Sequence, residues 1–220
     1  MHNVARFVAI ALVTMGLFAC APAPIKMTPD ATQSLQGAQV RVVHFEPADF
    51  AILTTTNATF GPLGVVAAVK EGNAMVRDDG IDDPSAYIGH TLAERLGKTY
   101  QFSGITDVSQ SHPVKEDDPG YVNGLARDGL VIDVRSYAWS FIYFPMHWGK
   151  YQPLYSARAR LIDAKTGVVL GQQTCQIKDS DPDSAPSYDE LVANKGAILK
   201  VQIRKAADAC VTQIADKILG

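Results

Sequence analysis

Side chains able to do chemistry are present in this chain, but their spacing gives them little to do. Asp179, Asp181, Asp183 and Glu190 stand at positions 1, 3, 5 and 12 of a twelve-residue stretch. A calcium loop offers oxygen ligands to a hard cation from such positions. The stretch departs from that pattern at Ser184, where the turn needs glycine, and at Pro186. Glu190 has a simpler role with Ser187, because Ser-x-x-Glu ahead of an apolar run is a capping box. His112 and Glu116 are four apart, but Pro113 lies between them on a loop, so no helix face brings them together. Gly97-Lys98-Thr99 ends like a phosphate-binding loop, yet Leu92 stands where the first glycine is needed and the triplet closes a helix instead of opening one. Lys165-Thr166-Gly167 lacks the Ser-x-x-Lys with which such a triplet works. His44 is a lone histidine in a strand. No nucleophile–base pair or ligand set emerges. The expectation is therefore a protein that is not an enzyme, with no metal and no cofactor.

Three cysteines remain, and the first lies at the end of a leader. Arg6 and the amino terminus precede an uncharged run from Phe7 to Phe18. Twelve residues are too few to cross a bilayer, which takes about 20, but they suit the apolar region of a secretory signal peptide. The run ends in Leu17-Phe18-Ala19-Cys20, which resembles the lipobox of bacterial outer-membrane lipoprotein precursors. The resemblance implies cleavage before Cys20, acylation of that cysteine with several chains, and, with Ala21 following, delivery to the outer membrane with the domain facing the periplasm. Several acyl chains give stable anchoring where one does not. The alternative is an ordinary signal peptide cut near Ala19, which leaves Cys20 as a free thiol. In an oxidising compartment the other two cysteines, Cys175 and Cys210, are expected to form a disulfide.

The 201 residues beyond the leader suit one domain with a sizeable core. They carry 23 carboxylates against 19 basic residues, a net charge of −4. Nucleic acid is a poor partner for such a surface. The sequence divides into a signal peptide over 1–19, a lipidated cysteine and flexible tether over 20–37, and a periplasmic α+β domain over 38–220. The tether reading rests on Pro22, Pro24 and Pro29 among Thr and Ser.

Within the domain, alternation predicts a first strand over Gln39–Phe45 and a short second one near Ala51–Thr56. A helix is expected from Pro62, whose small residues would pack closely on a sheet. Its sharper reading, a glycine-zipper membrane segment, is cut short by Lys70. Asp83 with Pro84 opens a helix that Gly97 would end, and a strand follows over Tyr100–Val108. Leu130–Phe144 is the most strand-like segment, with Leu130, Ile132 and Val134 on one face and Tyr137, Trp139 and Phe141 on the other. Tyr155–Ile162 turns Ala157, Ala159 and Leu161 inward and the arginines outward. Gly167 closes a hairpin to Val168–Lys178. A last helix, kinked near Gly196, puts Cys210 on its apolar face with Leu199, Ile203 and Ile214, opposite Cys175 in the strand. The fold class is α+β: a single domain with an antiparallel-dominated sheet of four or five strands and helices packed on one face.

One stretch stands out for function. Residues 137–155 hold most of the aromatic content, and the connection Pro145–Lys150 cannot bury all its apolar atoms beneath itself. Exposed aromatics mark contact surfaces, which makes Tyr143, Phe144, Met146, Trp148 and Tyr151 candidates for partner binding. The plain reading is a minor core plus a rigid turn. The expected function is a non-enzymatic binding or scaffolding module, held at the membrane by its lipid and docking an envelope protein. The alternative is a carrier of a small apolar ligand or lipid between sheet and helices.

Overall fold

A computed structural model describes residues 23–110, 118–125, 127–178 and 181–219. Cys20 and the leader, His112 and Glu116, and Asp179 lie outside the described residues.

The sheet begins with β1 (Gln39–His44). A short β2 (Ala51–Leu53) then leads into α2 (Thr55–Thr59), α3 (Pro62–Asp79) and α4 (Ser85–Tyr100), α1 (Pro29–Ser34) having preceded β1. β3 (Gly104–Ser109) returns beside β1 and parallel to it. Parallel neighbours need a long crossover, and the helices supply it. β4 (Leu130–Phe144), β5 (His147–Asp163) and β6 (Val169–Lys178) form the expected antiparallel meander. The strand order is β3-β1-β4-β5-β6, with β2 pairing the upper part of β4. The sheet is thus mixed and six-stranded, because β1 and β2 both pair β4 in parallel. α5 (Tyr188–Leu219) closes the domain.

Helices α3, α4 and α5 cover one face of the sheet. The core lies there: Val40 and Val42, Ile132 and Val134, Ala157, Ala159 and Leu161 meet Ile88, Leu92 and Leu96 of α4 and Leu199, Ile203 and Ile214 of α5. Cys175 and Cys210 are both buried in that layer and joined in a disulfide across 35 residues. A loop of that length stabilises by about 4 kcal/mol on the chain-entropy model. The capping box forms, Ser187 N–H donating to Glu190 Oε2 at 2.7 Å and Glu190 N–H to Ser187 Oγ at 3.3 Å. The kink forms too. Asn194, Lys195 and Gly196 all have positive φ and break α5 into two helices.

Four expectations need correction. α4 runs through Gly97 to Tyr100 and ends on Gln101 at φ 53°, so the next strand starts only at Gly104. Residues 23–37 are not uniformly flexible: α1 forms there, Leu35 is buried, and Ile25 makes an antiparallel bridge to Gln172 of β6. The two halves of β4 share a face instead of opposing. The register jumps between Ser136 and Ala138, leaving Tyr137 as an extra residue. Such a bulge reverses which residues point inward, so Ile132, Val134, Trp139 and Phe141 all join one core. Finally, Arg158 and Arg160 point away from that core yet are 0% and 2% exposed. For Arg160 the cause is a second, smaller layer on the other face, where a 3₁₀ turn over Pro119–Gly124 lays Tyr121 and Val122 on the sheet. Arg160 grips Asp133 through Nε and Nη2, at 3.1 and 2.6 Å, and the Tyr121 hydroxyl donates to the same carboxylate. Burial first, and then Asp133, push the Tyr121 hydroxyl pKa far up.

Candidate docking surface

The upper half of the β4–β5 hairpin extends past the end of β6. Its inner face is an aromatic layer. Phe50 meets Trp139 and Phe141 edge-on, with centroids 5.0 and 6.0 Å apart. Phe141 meets Tyr151 and Tyr188 at 5.7 and 5.9 Å. Such contacts add about 0.5–1.5 kcal/mol each beyond burial. Tyr188 donates to Glu71 of α3 at 2.8 Å, and burial followed by that bond push its pKa up to about 12. The loop ahead of α5 clamps the outer edge: Tyr151 N–H donates to Pro186 O and Lys150 Nζ to Ala185 O.

This layer sorts the five candidate residues. Phe144 and Tyr151 are buried, so they support the hairpin from within and offer no surface. Tyr143 is half-buried and stacks against Trp148, with centroids 5.8 Å apart. Met146 and Trp148 are the outward members, 81% and 60% exposed. The turn explains Met146. Pro145 sets φ for the first turn position, and Met146 follows at φ 70°. Proline then a positive φ is the type II pattern, in which glycine is the unstrained second residue. A methionine there costs about 1–2 kcal/mol relative to glycine.

A second apolar surface stands at the same end. α2 and the start of α3 follow β2, whose Leu53 pairs Ile142 near the top of β4. α3 buries only Gly64, Ala68 and Gly72. A Cβ on Gly64 would stand 1.7 Å from Asn57 O, and one on Gly72 would stand 2.1 Å from Phe50 O. The backbone contact fixes the helix's rotation and turns the large residues of its first turns outward, while Met75 and Val76 further along pack on the core. Phe60, Leu63, Val65 and Val66 are 65%, 79%, 53% and 67% exposed. The sequence carried a signal for this: small residues recur every four positions beside Leu63 and Val66, and no charged side chain occurs from Phe50 to Val69.

The titratable clusters are structural in character. Asp83 accepts from Ser85 N–H, Ser136 Oγ and Ala48 N–H at 2.8, 2.6 and 3.2 Å, and Ser136 also meets the Tyr155 hydroxyl at 2.8 Å. Asp83 thus ties the start of α4 to the bulge in β4. Asp107 lies between His44 and His90, 2.9 and 3.2 Å away, joining β1, β3 and α4 at the surface. His147 sits apart, on the hairpin turn. Asp181 accepts from Asp183 N–H and Ser184 Oγ, and Glu190 serves its cap. Among the described residues no group of three His, Cys, Asp or Glu side chains is arranged to hold a metal ion. A concavity of about 520 Å³ lies beside the α3–α4 connection, lined by Phe45, Ile81 and Tyr87 but also by Asp82, Lys200 and Arg204. No helix among the described residues is long and apolar enough to cross a membrane.

No family model and no curated protein matches the sequence. Several solved structures match the chain at very low identity and low structural overlap. The PelC dodecamer from Paraburkholderia phytofirmans is 9% identical, with 83% of this chain and 88% of that one covered and a TM-score of 0.32. The lipoprotein GNA1162 from Neisseria meningitidis is 16% identical, with 78% and 99% covered and a TM-score of 0.29. The hypothetical protein CT253 from Chlamydia trachomatis is 10% identical, with 82% and 97% covered and a TM-score of 0.41. All three likenesses are too distant to carry a functional reading to this chain. What the geometry defines by itself is a single α+β domain with large apolar side chains exposed at one end.

Proposed function

We propose that this protein is a lipid-anchored, non-enzymatic binding module of the cell envelope. Cys20 carries the acyl anchor in the outer membrane, the domain faces the periplasm, and an envelope protein docks on the tip of the β4–β5 hairpin. The observation that carries this reading is the pairing of Met146 and Trp148. Both stand exposed on a turn whose base is locked by the aromatic layer, and Met146 occupies a backbone position where glycine would be easier. Strain retained at an exposed apolar side chain points to a use for that side chain. A rigid aromatic anchor is also the residue type that dominates interface energetics. The apolar-carrier reading has less support. The sheet–helix layer is filled by side chains, and the concavity beside the α3–α4 connection is lined in part by charges.

The test is capture from envelope with a photoreactive side chain at position 148. A discrete protein adduct that disappears with Met146→Ala supports the reading. Absence of any adduct at 148, with the protein folded and in the envelope, overturns it.

A further inference from the structure

We infer that the α2–α3 corner, Ala58–Ala67, rests on the surface of the lipid bilayer. The inference builds on the anchor at Cys20 and is independent of the protein partner at the hairpin tip.

The corner has the chemistry of a surface that leaves water for lipid. Its exposed side chains are Phe60, Leu63, Val65 and Val66 with Ala58, Pro62 and Ala67 between them and one hydroxyl, that of Thr59. From Phe50 to Val69 there is no Asp, Glu, Lys or Arg whose desolvation would oppose contact. Three polar side chains at the corner have partners within it, while the start of α3 carries no side-chain cap. Thr54 Oγ1 accepts from Asn57 N–H, Asn57 Nδ2 donates to Ile52 O, and Thr59 Oγ1 donates to Thr56 O, at 3.1, 3.1 and 2.7 Å. Internal satisfaction of hydrogen bonds is what a low-dielectric contact demands. A protein interface, by contrast, is rimmed by polar residues that fix the partner's orientation. The corner cannot hide its apolar residues by rotating, because Gly64 and Gly72 leave no room for a larger face against Asn57 and Phe50.

The path of the chain favours the bilayer as the occupant. Ile25 is bridged antiparallel to Gln172, and Gln172 Nε2 donates to Ala23 O. β6 runs toward the hairpin end of the sheet, so the segment from Ile25 back to Ala23 runs toward that end as well. Cys20 lies three residue steps before Ala23, a reach of about 10 Å. An acylated Cys20 therefore holds the domain close to the membrane, and the described chain leads back from Ile25 toward the apolar end. An anchor so short keeps the corner at high effective concentration near lipid, where a modest apolar surface suffices.

The test uses the mature lipoprotein in phosphatidylethanolamine–phosphatidylglycerol vesicles, with a spin label on Leu63→Cys or, for comparison, on Thr106→Cys of β3. Expected at position 63 is a several-fold excess of collisions with oxygen over collisions with a water-soluble nickel chelate, and the reverse at position 106. Equal accessibility of both sites to the chelate overturns the inference. Shielding of position 63 from both reagents, or spin–spin broadening there, also overturns it and assigns the corner to a protein or a second copy. The anchor is read separately, from the mass of the Cys20 peptide and flotation with the vesicles. An unacylated peptide removes the anchor and this inference together, whereas an acylated, floating protein with a solvated position 63 removes the inference alone.

Discussion

Two apolar segments meet at one end of this domain, and they exchange the roles that their compositions suggest. Residues 137–155 are rich in large aromatics, yet most of them are spent inside: Trp139, Phe141, Tyr151 and Tyr155 line the core, and Tyr137 at the bulge and the turn are what face the surroundings. The α2–α3 corner is built of small and aliphatic residues suited to packing, yet its large side chains face outward. The difference lies in what each backbone lets its neighbours approach. A bulge turns Trp139 and Phe141 of β4 to the core face, where Phe50 and Tyr188 cover them. In α3 the glycines draw the helix so close to Phe50 and Asn57 that nothing bulky fits between. Composition reports how much apolar surface a segment has, whereas backbone approach decides which side of it is wet.

Truncation should separate the two kinds of aromatic most sharply. Phe141→Ala is expected to cost about 3–5 kcal/mol, and Trp148→Ala no more than about 0.5 kcal/mol, both read from urea denaturation. Comparable losses would mean that the turn is part of the core.

The same contrast should hold around α3. Gly72→Ala forces a Cβ against a backbone carbonyl and is expected to cost about 1–3 kcal/mol or more. Leu63→Ala, one face away, is expected to stay within about 0.5 kcal/mol. A large loss at Leu63 would show that the corner packs on something within the domain.

Much of the local chemistry was legible in the sequence. The capping box at Ser187 and Glu190, the turn at Gly167, the kink at Gly196 and the facing of Cys175 and Cys210 each follow from a few neighbouring residues, and the fold uses all of them. Tyr137 was not legible as a bulge, since one extra residue leaves no mark on composition while reversing every later side chain. The arginines at 158 and 160 alternate as a wet face would, and only the distant Tyr121 shows that Arg160 is covered. The parallel pairing of β1 with β3 and β4 is equally remote from local pattern. At the candidate site, the exposed Met146 and Trp148 were readable from the turn, whereas the small residues at 64, 68 and 72 marked a close-packed helix face without showing that it meets Asn57 and Phe50 and leaves Leu63 and Val66 outside.

Met146→Gly tests the turn itself. Relief of the positive φ should raise stability by up to about 1 kcal/mol while reducing capture of the partner. A gain in stability with capture intact would leave the strain without a purpose.

A smaller effect is expected in alkali. Tyr188 is held neutral by burial and then by Glu71, so its pKa lies near 12 when folded against an ordinary 10.0. Between those values the folded state keeps a proton that the unfolded state has lost. Stability is therefore full below about pH 10 and declines as pH rises toward 12. Denaturation midpoints at pH 9 and pH 11 should show the fall, and Tyr188→Phe should reduce it.

The most direct measurement uses the two tryptophans, one on each side of the contrast. In single-tryptophan proteins made by Trp139→Phe or Trp148→Phe, acrylamide should quench Trp148 freely and Trp139 poorly when the protein is in detergent-free solution. In outer-membrane vesicles Trp148 should become protected and shift to the blue, with Trp139 unchanged. A Trp148 that is already protected in solution, or that stays freely quenched in the membrane, would contradict the account.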